Sequence, residues 1–117
     1  NSSRWIKMKK MIEVVRQATE FKKMRKEDEN IMNNENALNY LNGQLQVLEF
    51  VIDNILVPEE QEQQLEEMYK ASFEQYEEED SQIIKMETLG ACDILAWLLE
   101  IPQEDHDALK EEHGMPT

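Results

Sequence analysis

One carboxylate interrupts the most apolar stretch of this chain. The stretch reads ETLGACDILAWLLEIP, covers residues 87–102 and carries Asp93 near its centre. Moving an ionised carboxylate into a dry protein interior costs several kcal/mol unless it is paired or hydrogen-bonded. Asp93 therefore needs a partner, and the kind of partner indicates what this segment does.

Three arrangements would stabilise Asp93. The first is an ion pair with a base from the N-terminal segment, where Arg16 is the most central candidate. The second is an interface that another protein covers. The third is a divalent metal shared with Glu49, Asp53 and Glu87, because carboxylates are the ligands that hard cations prefer.

An internal overlay extends the question to a second acid. At an offset of 44 residues, Leu45 aligns with Leu89, Glu49 with Asp93, and Pro58 with Pro102. The shared pattern is an apolar helix, a stop at a hydrophobic residue and Pro, and an acidic helix. The pattern favours two stacked helix-Pro-helix hairpins, with chance alignment as the alternative. Glu49 and Asp93 are the buried-acid candidates of the two units.

The segment ETLGACDILAWLL is similar to the second acidic motif of all-α nucleotide pyrophosphohydrolases of the MazG type. The resemblance implies metal-dependent hydrolysis, with acids on an EExxE helix and an ExxD helix. Here Gly90 stands where that family has Asp, and Asp93 lies six residues after Glu87, about 120° away around a helix. Glu49 and Asp53 stand four apart without the doubled acid. A MazG-like enzyme is therefore the lesser alternative.

Other catalytic patterns are missing from the sequence. There is no Gly-rich phosphate loop, no CxxC, and no Ser or Cys with a plausible base. His106 and His113 lie beside acids, but a polar C-terminal helix predicts ordinary surface histidines. The lone Cys92 predicts a buried thiol in a reducing compartment. We expect no enzyme, no metal and no cofactor.

Composition predicts an all-α fold in a single domain over residues 1–117. The 117 residues are 40% hydrophobic, enough for one core, and only 3 Gly and 3 Pro are present, too few for a turn-rich β fold. No apolar run is long enough for a bilayer span, and the start lacks the apolar core of a secretory signal. We expect a cytoplasmic protein, in the host cytoplasm if the chain is viral, with no membrane partner.

Apolar periodicity predicts a bundle of about four long helices plus a short C-terminal one. The basic N-terminal helix is placed at 4–31, and the acidic helical body at 35–113, with helices at 35–56, 59–79 and 81–101. Asn34 is the predicted N-cap of the second helix, and Asp80 or Ser81 that of the fourth. Gly114 is the predicted C-cap of the last helix. The first helix is predicted to bury Met8, Met11, Ile12, Val15, Ala18 and Phe21. The predicted core is Leu41, Leu45, Leu48, Ile52, Leu89, Leu95, Leu98 and Leu99.

Charge is divided unevenly along the chain. Residues 1–26 hold nine basic and two acidic residues, a net charge of +7 that leaves −21 for the rest of a chain whose total is −14. The acidic part repels nucleic acid, so direct binding of nucleic acid is not expected. The basic helix is predicted to pack on, or exchange with, the acidic body, with a DNA-binding arm as the less favoured alternative.

The Glu-rich third helix is the predicted partner-binding face, with simple solvation of an exposed surface as the alternative. Its candidate residues are Glu66, Glu67, Glu74, Glu77, Glu78 and Glu79. We expect a small acidic protein-protein interaction module that blocks a larger protein with a basic surface. In character it resembles the inhibitors and accessory factors of phages and mobile elements that act on nucleases and defence proteins. The alternative is an assembly protein, with a homodimer through the leucine-rich apolar face of the helix at 35–56 or head-to-tail docking of basic helix and acidic body.

Overall fold

The computed structural model describes residues 9–54 and 58–117, and only the backbone of residues 58 and 59. This part of the chain is all α-helical, which confirms the predicted fold class. None of its helices is long and apolar enough to cross a membrane. The helices are α1 (Met11–Glu27), α2 (Glu29–Met32), α3 (Glu35–Asp53), α4 (Pro58–Glu78), α5 (Gln82–Leu98) and α6 (Gln103–Glu112).

The predicted first helix is divided at Asp28. The Asp28 side chain accepts hydrogen bonds from the backbone N–H groups of Asn30 and Ile31, at 2.9 and 3.3 Å. It thereby caps α2 and leaves the helical conformation itself, with φ −85° and ψ 106°. A single helix over 4–31 is therefore wrong, and its first part, residues 4–8, lies outside the described residues. Asp28 divides it because a short acidic side chain competes with the helix for backbone N–H groups.

The predicted caps are present at three helix ends. Asn34 Oδ1 accepts from the backbone N–H of Ala37 at 3.1 Å, and Ser81 Oγ accepts from that of Ile84 at 3.4 Å. Gly114 has a φ of +73°, the left-handed conformation that closes α6. The helices α3 and α5 end earlier than predicted, at Asp53 and Leu98. The predicted stop at Val57 and Pro58 falls on residues outside the described side chains.

The core lies around α5, which packs against both α3 and α4, while α1 packs on α3. Leu48 and Leu98 have no exposed surface, and Leu45 and Leu95 have 1% each. The predicted core residues Ile52 and Leu99 are only partly buried. The other predicted core residues are buried: Leu41, Leu45, Leu48, Leu89, Leu95 and Leu98.

Two glycines allow α3 and α5 to touch backbone to backbone. A Cβ atom on Gly43 would lie 1.9 Å from the carbonyl oxygen of Glu87, and one on Gly90 would lie 2.1 Å from that of Tyr40. Real Cβ atoms do not approach oxygen so closely, so both positions require glycine. This contact brings Tyr40 of α3 beside Asp93, which follows Gly90 by less than one helical turn.

The buried stripe of α1 differs from the predicted one. Val14 and Ala18 are buried against α3, whereas Met11, Ile12 and Val15 are 43%, 66% and 44% exposed. Apolar residues occupy both position 14 and position 15, and helical periodicity alone does not decide which of them faces inward. The predicted burial of Met11, Ile12 and Val15 is therefore wrong. Met8 lies outside the described residues.

Candidate functional site

Asp93 is paired from α6, the C-terminal helix. Its Oδ1 atom lies 2.7 Å from His106 Nε2 and 3.0 Å from Lys110 Nζ. The Tyr40 hydroxyl donates to the other carboxylate oxygen. His106 and Lys110 are four residues apart, so they project from one face of α6. The predicted pairing with Arg16 is wrong, because Arg16 is exposed on α1.

His106 links three helices. Its Nδ1 atom lies 2.7 Å from the Tyr69 hydroxyl on α4, while Nε2 faces Asp93 on α5. A carboxylate only accepts hydrogen bonds, so Nε2 carries a proton and donates to Asp93. His106 is 3% exposed, and Tyr69 packs edge-on against Phe73 with 5.1 Å between ring centroids. The prediction of a surface histidine is therefore wrong at this position.

The pKa values of Asp93, Tyr40 and Tyr69 are shifted away from neutrality. Burial disfavours the ionised Asp93, but hydrogen bonds from His106, Tyr40 and Lys110 outweigh it and keep the pKa of Asp93 below its usual range. Burial is the main cause that raises the pKa of Tyr40 and of Tyr69. Burial also raises the pKa of the adjacent Cys92 to about 11. At neutral pH, Asp93 is therefore ionised, and Tyr40, Tyr69 and Cys92 keep their protons.

The acids proposed to share a metal with Asp93 are not arranged to do so. Glu49 and Asp53 are exposed on α3, and Glu87 is half-buried at the crossing of α3 and α5. Across residues 9–54 and 58–117, no group of three or more His, Cys, Asp and Glu side chains is placed to hold a metal ion. Glu49 as a buried acid is therefore wrong, because its position on α3 faces solvent while Asp93 faces α6. The two positions that the overlay aligned have different environments.

A cleft of about 530 Å³ opens beside the Asp93 network. Tyr40, Asp93 and Lys110 lie on its wall, together with Trp97 at the end of α5. Lys9, which precedes α1, reaches into this cleft. Its ammonium group lies 5.2 Å from the centroid of the Trp97 ring and 3.6 Å from a carboxylate oxygen of Glu100.

A separate acidic surface runs along α4. Glu60, Glu67, Glu74 and Glu78 are all exposed. At about 100° and 1.5 Å per residue they lie within an arc of about 40° and span about 27 Å. We call these four residues the acidic stripe. It lies opposite the buried residues Leu65, Tyr69 and Phe73, so α4 separates a charged face from a core face.

The predicted partner-binding residues divide into two groups. Glu67, Glu74 and Glu78 belong to the acidic stripe, and Glu60 joins them although the sequence did not mark it. Glu66 and Glu79 are half-buried, and Glu79 accepts a hydrogen bond from the Ser81 backbone N–H at 3.0 Å. Glu77 is exposed, and its carboxylate is hydrogen-bonded to His113 at the end of α6. Glu66, Glu77 and Glu79 thus lie off the stripe.

Comparison of the chain with models of protein families, with curated proteins and with solved structures finds no match.

Proposed function

We propose that this chain is a protein-protein interaction module whose acidic stripe binds a basic surface on a larger protein. The observation that supports the proposal most strongly is the line of exposed carboxylates at Glu60, Glu67, Glu74 and Glu78. Their spacing on one side of α4 concentrates negative potential, which speeds the encounter with a positively charged surface. The tight apolar packing of α4 on α5 keeps the stripe on a rigid support.

The partner should be a protein that carries clustered Lys and Arg, such as one whose natural ligand is nucleic acid. A row of carboxylates can occupy a groove that otherwise holds phosphates, because both present anionic oxygens to the same cationic side chains. Binding of this kind blocks the groove. The proposed role is therefore an inhibitor or accessory factor that acts by occupation, of the type encoded by phages and mobile elements.

Affinity capture with matched charge variants tests the proposal. The chain is immobilised and exposed to a host lysate at low salt, and the captured protein is identified. The variant E67K/E74K/E78K reverses three charges of the stripe. The control E20K/E27K/E49K makes the same change in net charge at exposed positions on α1 and α3.

We expect the native chain and the control to capture the same protein, and the stripe variant to lose it. Folding should be nearly unaffected in both variants, since exposed charges contribute little to stability. Lys70 is exposed beside the stripe, and K70E should strengthen capture by adding negative charge there. Equal loss in the stripe variant and the control would mean that only total charge matters, and retention by the stripe variant would rule out the stripe.

Self-association is a second candidate, supported by the exposed apolar side chains of α1. Met11, Ile12 and Val15 are 43%, 66% and 44% exposed, and exposed basic residues lie on the same helix. Measuring molecular mass in solution at increasing salt tests this candidate. Assembly driven by α1 and the acidic body should dissociate with added salt, whereas a dimer through apolar contacts should persist.

A further inference from the structure

We propose that the cleft between α3, α5 and α6 binds the cationic side chain of a lysine or arginine from another protein, at the seat that Lys9 fills in this structure. The seat consists of the Trp97 ring and the Glu100 carboxylate. An aromatic face and a carboxylate side by side form a site for an organic cation, because both attract positive charge and the ring also packs against the aliphatic stem. Lys9 shows that a primary ammonium group fits there.

The contacts of Lys9 define the geometry of the seat. The ammonium group lies 5.2 Å from the Trp97 ring centroid and 3.6 Å from Glu100 Oε2. The backbone N–H of Lys9 donates to the carbonyl of Leu98 at 3.0 Å, close to the end of α5. This backbone hydrogen bond holds Lys9 in position without involving its ammonium group. The side-chain contact can therefore be exchanged while the segment stays in place.

The electrostatics of the cleft favour a cation when Lys9 is withdrawn. Asp93, Glu100 and Asp107 line it, and the basic side chains besides Lys9 among its described lining residues are His106 and Lys110. His106 is already engaged by Asp93 at 2.7 Å. Lys110 is already engaged by Asp93 at 3.0 Å. Without Lys9, the Glu100 carboxylate loses this ion-pair partner and faces the open cleft. A positively charged side chain from another protein would then neutralise the Glu100 carboxylate.

The backbone holds Glu100 in a conformation that residues other than glycine adopt rarely. Its φ is +52°, in the left-handed region. The turn is held by hydrogen bonds from the Glu100 N–H to the Trp97 carbonyl at 3.2 Å and from the Ile101 N–H to the Ala96 carbonyl at 3.0 Å. The carboxylate and the Trp97 ring are therefore positioned together, by the turn that ends α5.

Lys9 is held loosely enough to be displaced. The side chains of Lys9 and Glu100 are 23% and 37% exposed, so water screens their ion pair. An exposed cation–π contact and an exposed ion pair together keep the seat filled in roughly nine molecules of ten. An external cation then binds about tenfold more weakly than it would to an empty seat. The partner origin of that cation rests on the proposed function, whereas the chemistry of the seat does not.

The test titrates a capped tripeptide, acetyl-Gly-Lys-Gly-amide, into the full chain. Binding is followed by the ¹⁵N-indole resonance of Trp97, assigned with W97F. The variant K9A empties the seat, and K10A removes an equal charge from the next residue, which is exposed. The same tripeptide with acetyllysine keeps the aliphatic stem of the side chain and removes its charge.

We expect K9A to bind the lysine tripeptide saturably and about tenfold more tightly than the native chain and K10A. The acetyllysine tripeptide should leave the resonance unchanged, and K9A/E100Q should lose binding. No saturable shift with K9A, equal affinity in K9A and K10A, or equal binding of acetyllysine would overturn the proposal. The titration contains no partner protein, so its failure differs from failed capture by the acidic stripe. Conversely, E67K/E74K/E78K should leave tripeptide binding intact.

Discussion

Replacement of Asp93 by Ala should destabilise the fold by about 3 kcal/mol. Lys110 and His106 have side chains only 7% and 4% exposed, so both would lose a partner inside the protein. Removing one member of a buried ion pair costs about 3–5 kcal/mol. The Asp93 side chain is 19% exposed, and water entering from the cleft reduces the penalty toward the lower limit. D93N keeps the shape but not the charge, and should cost about 2 kcal/mol.

Urea unfolding at pH 7, followed by circular dichroism, measures these losses. The control is E49A, at the position that aligns with Asp93 but is exposed on α3. It should change the free energy of unfolding by less than about 0.5 kcal/mol, as exposed substitutions usually do. A loss below about 1 kcal/mol in D93A, or equal losses in D93A and E49A, would refute a stabilising role for the buried contacts of Asp93 with His106 and Lys110.

The contribution of Asp93 should also depend on pH. Its pKa is lower in the folded state than the usual value, through hydrogen bonds that outweigh burial. A lowered folded pKa stabilises the fold above the unfolded value of about 4, and this stabilisation is lost as the pH falls through the folded pKa. The stability difference between the native chain and D93N should thus be constant from pH 7 to about 5 and shrink below about pH 4. A difference that grows on acidification would contradict this.

Three further predictions concern the surroundings of Asp93. G90A should lower the free energy of urea unfolding by at least about 2 kcal/mol, because the new Cβ would lie 2.1 Å from the Tyr40 carbonyl oxygen and force α3 and α5 apart. A G90A variant with unchanged free energy of unfolding would refute the close contact. Y69F should cost about 1–3 kcal/mol, since it leaves the Nδ1 atom of buried His106 without its hydrogen-bond partner. A loss within error would mean that water replaces the hydroxyl. Cys92 is buried, and its pKa is raised to about 11. It should therefore react with an aromatic disulfide reagent at pH 8 only as fast as the chain unfolds. Fast labelling of the folded chain would contradict its burial.

The sequence predicted features that depend on local chemistry. Asn34 and Ser81 cap their helices, and Gly114 closes α6, because each residue type satisfies backbone groups within a few positions of itself. The helical class and the six buried leucines followed from apolar periodicity. The division of the first helix was missed, although Asp28 carried the signal of a capping side chain.

The partner of Asp93 was not predictable in the same way. The α6 sequence, QEDHDALKEE, is polar, so it predicts an exposed helix, yet His106 and Lys110 are buried. The available signal was their four-residue spacing together with the unmet need of Asp93 for a base. Only the tertiary fold decides whether that base comes from Arg16 or from α6, because pairing across helices depends on where the chain returns.

The acidic stripe was partly predictable. Helical geometry places Glu67, Glu74 and Glu78 on one side of α4, and the same argument includes Glu60. The positions of Glu66 and Glu79 depend on how α4 and its end pack against the rest of the fold. The Lys9 seat had no local signal in the sequence, since it joins the start of α1 to the end of α5.

The measurement that tests the acidic stripe most directly is the association rate with the captured partner as a function of salt. We expect the association rate constant to fall at least about tenfold between 0.05 and 0.5 M NaCl, while the dissociation rate changes little. E67K/E74K/E78K should abolish this dependence, and E20K/E27K/E49K should retain most of it. An association rate that is insensitive to salt, or that falls equally in both variants, would contradict binding through the stripe.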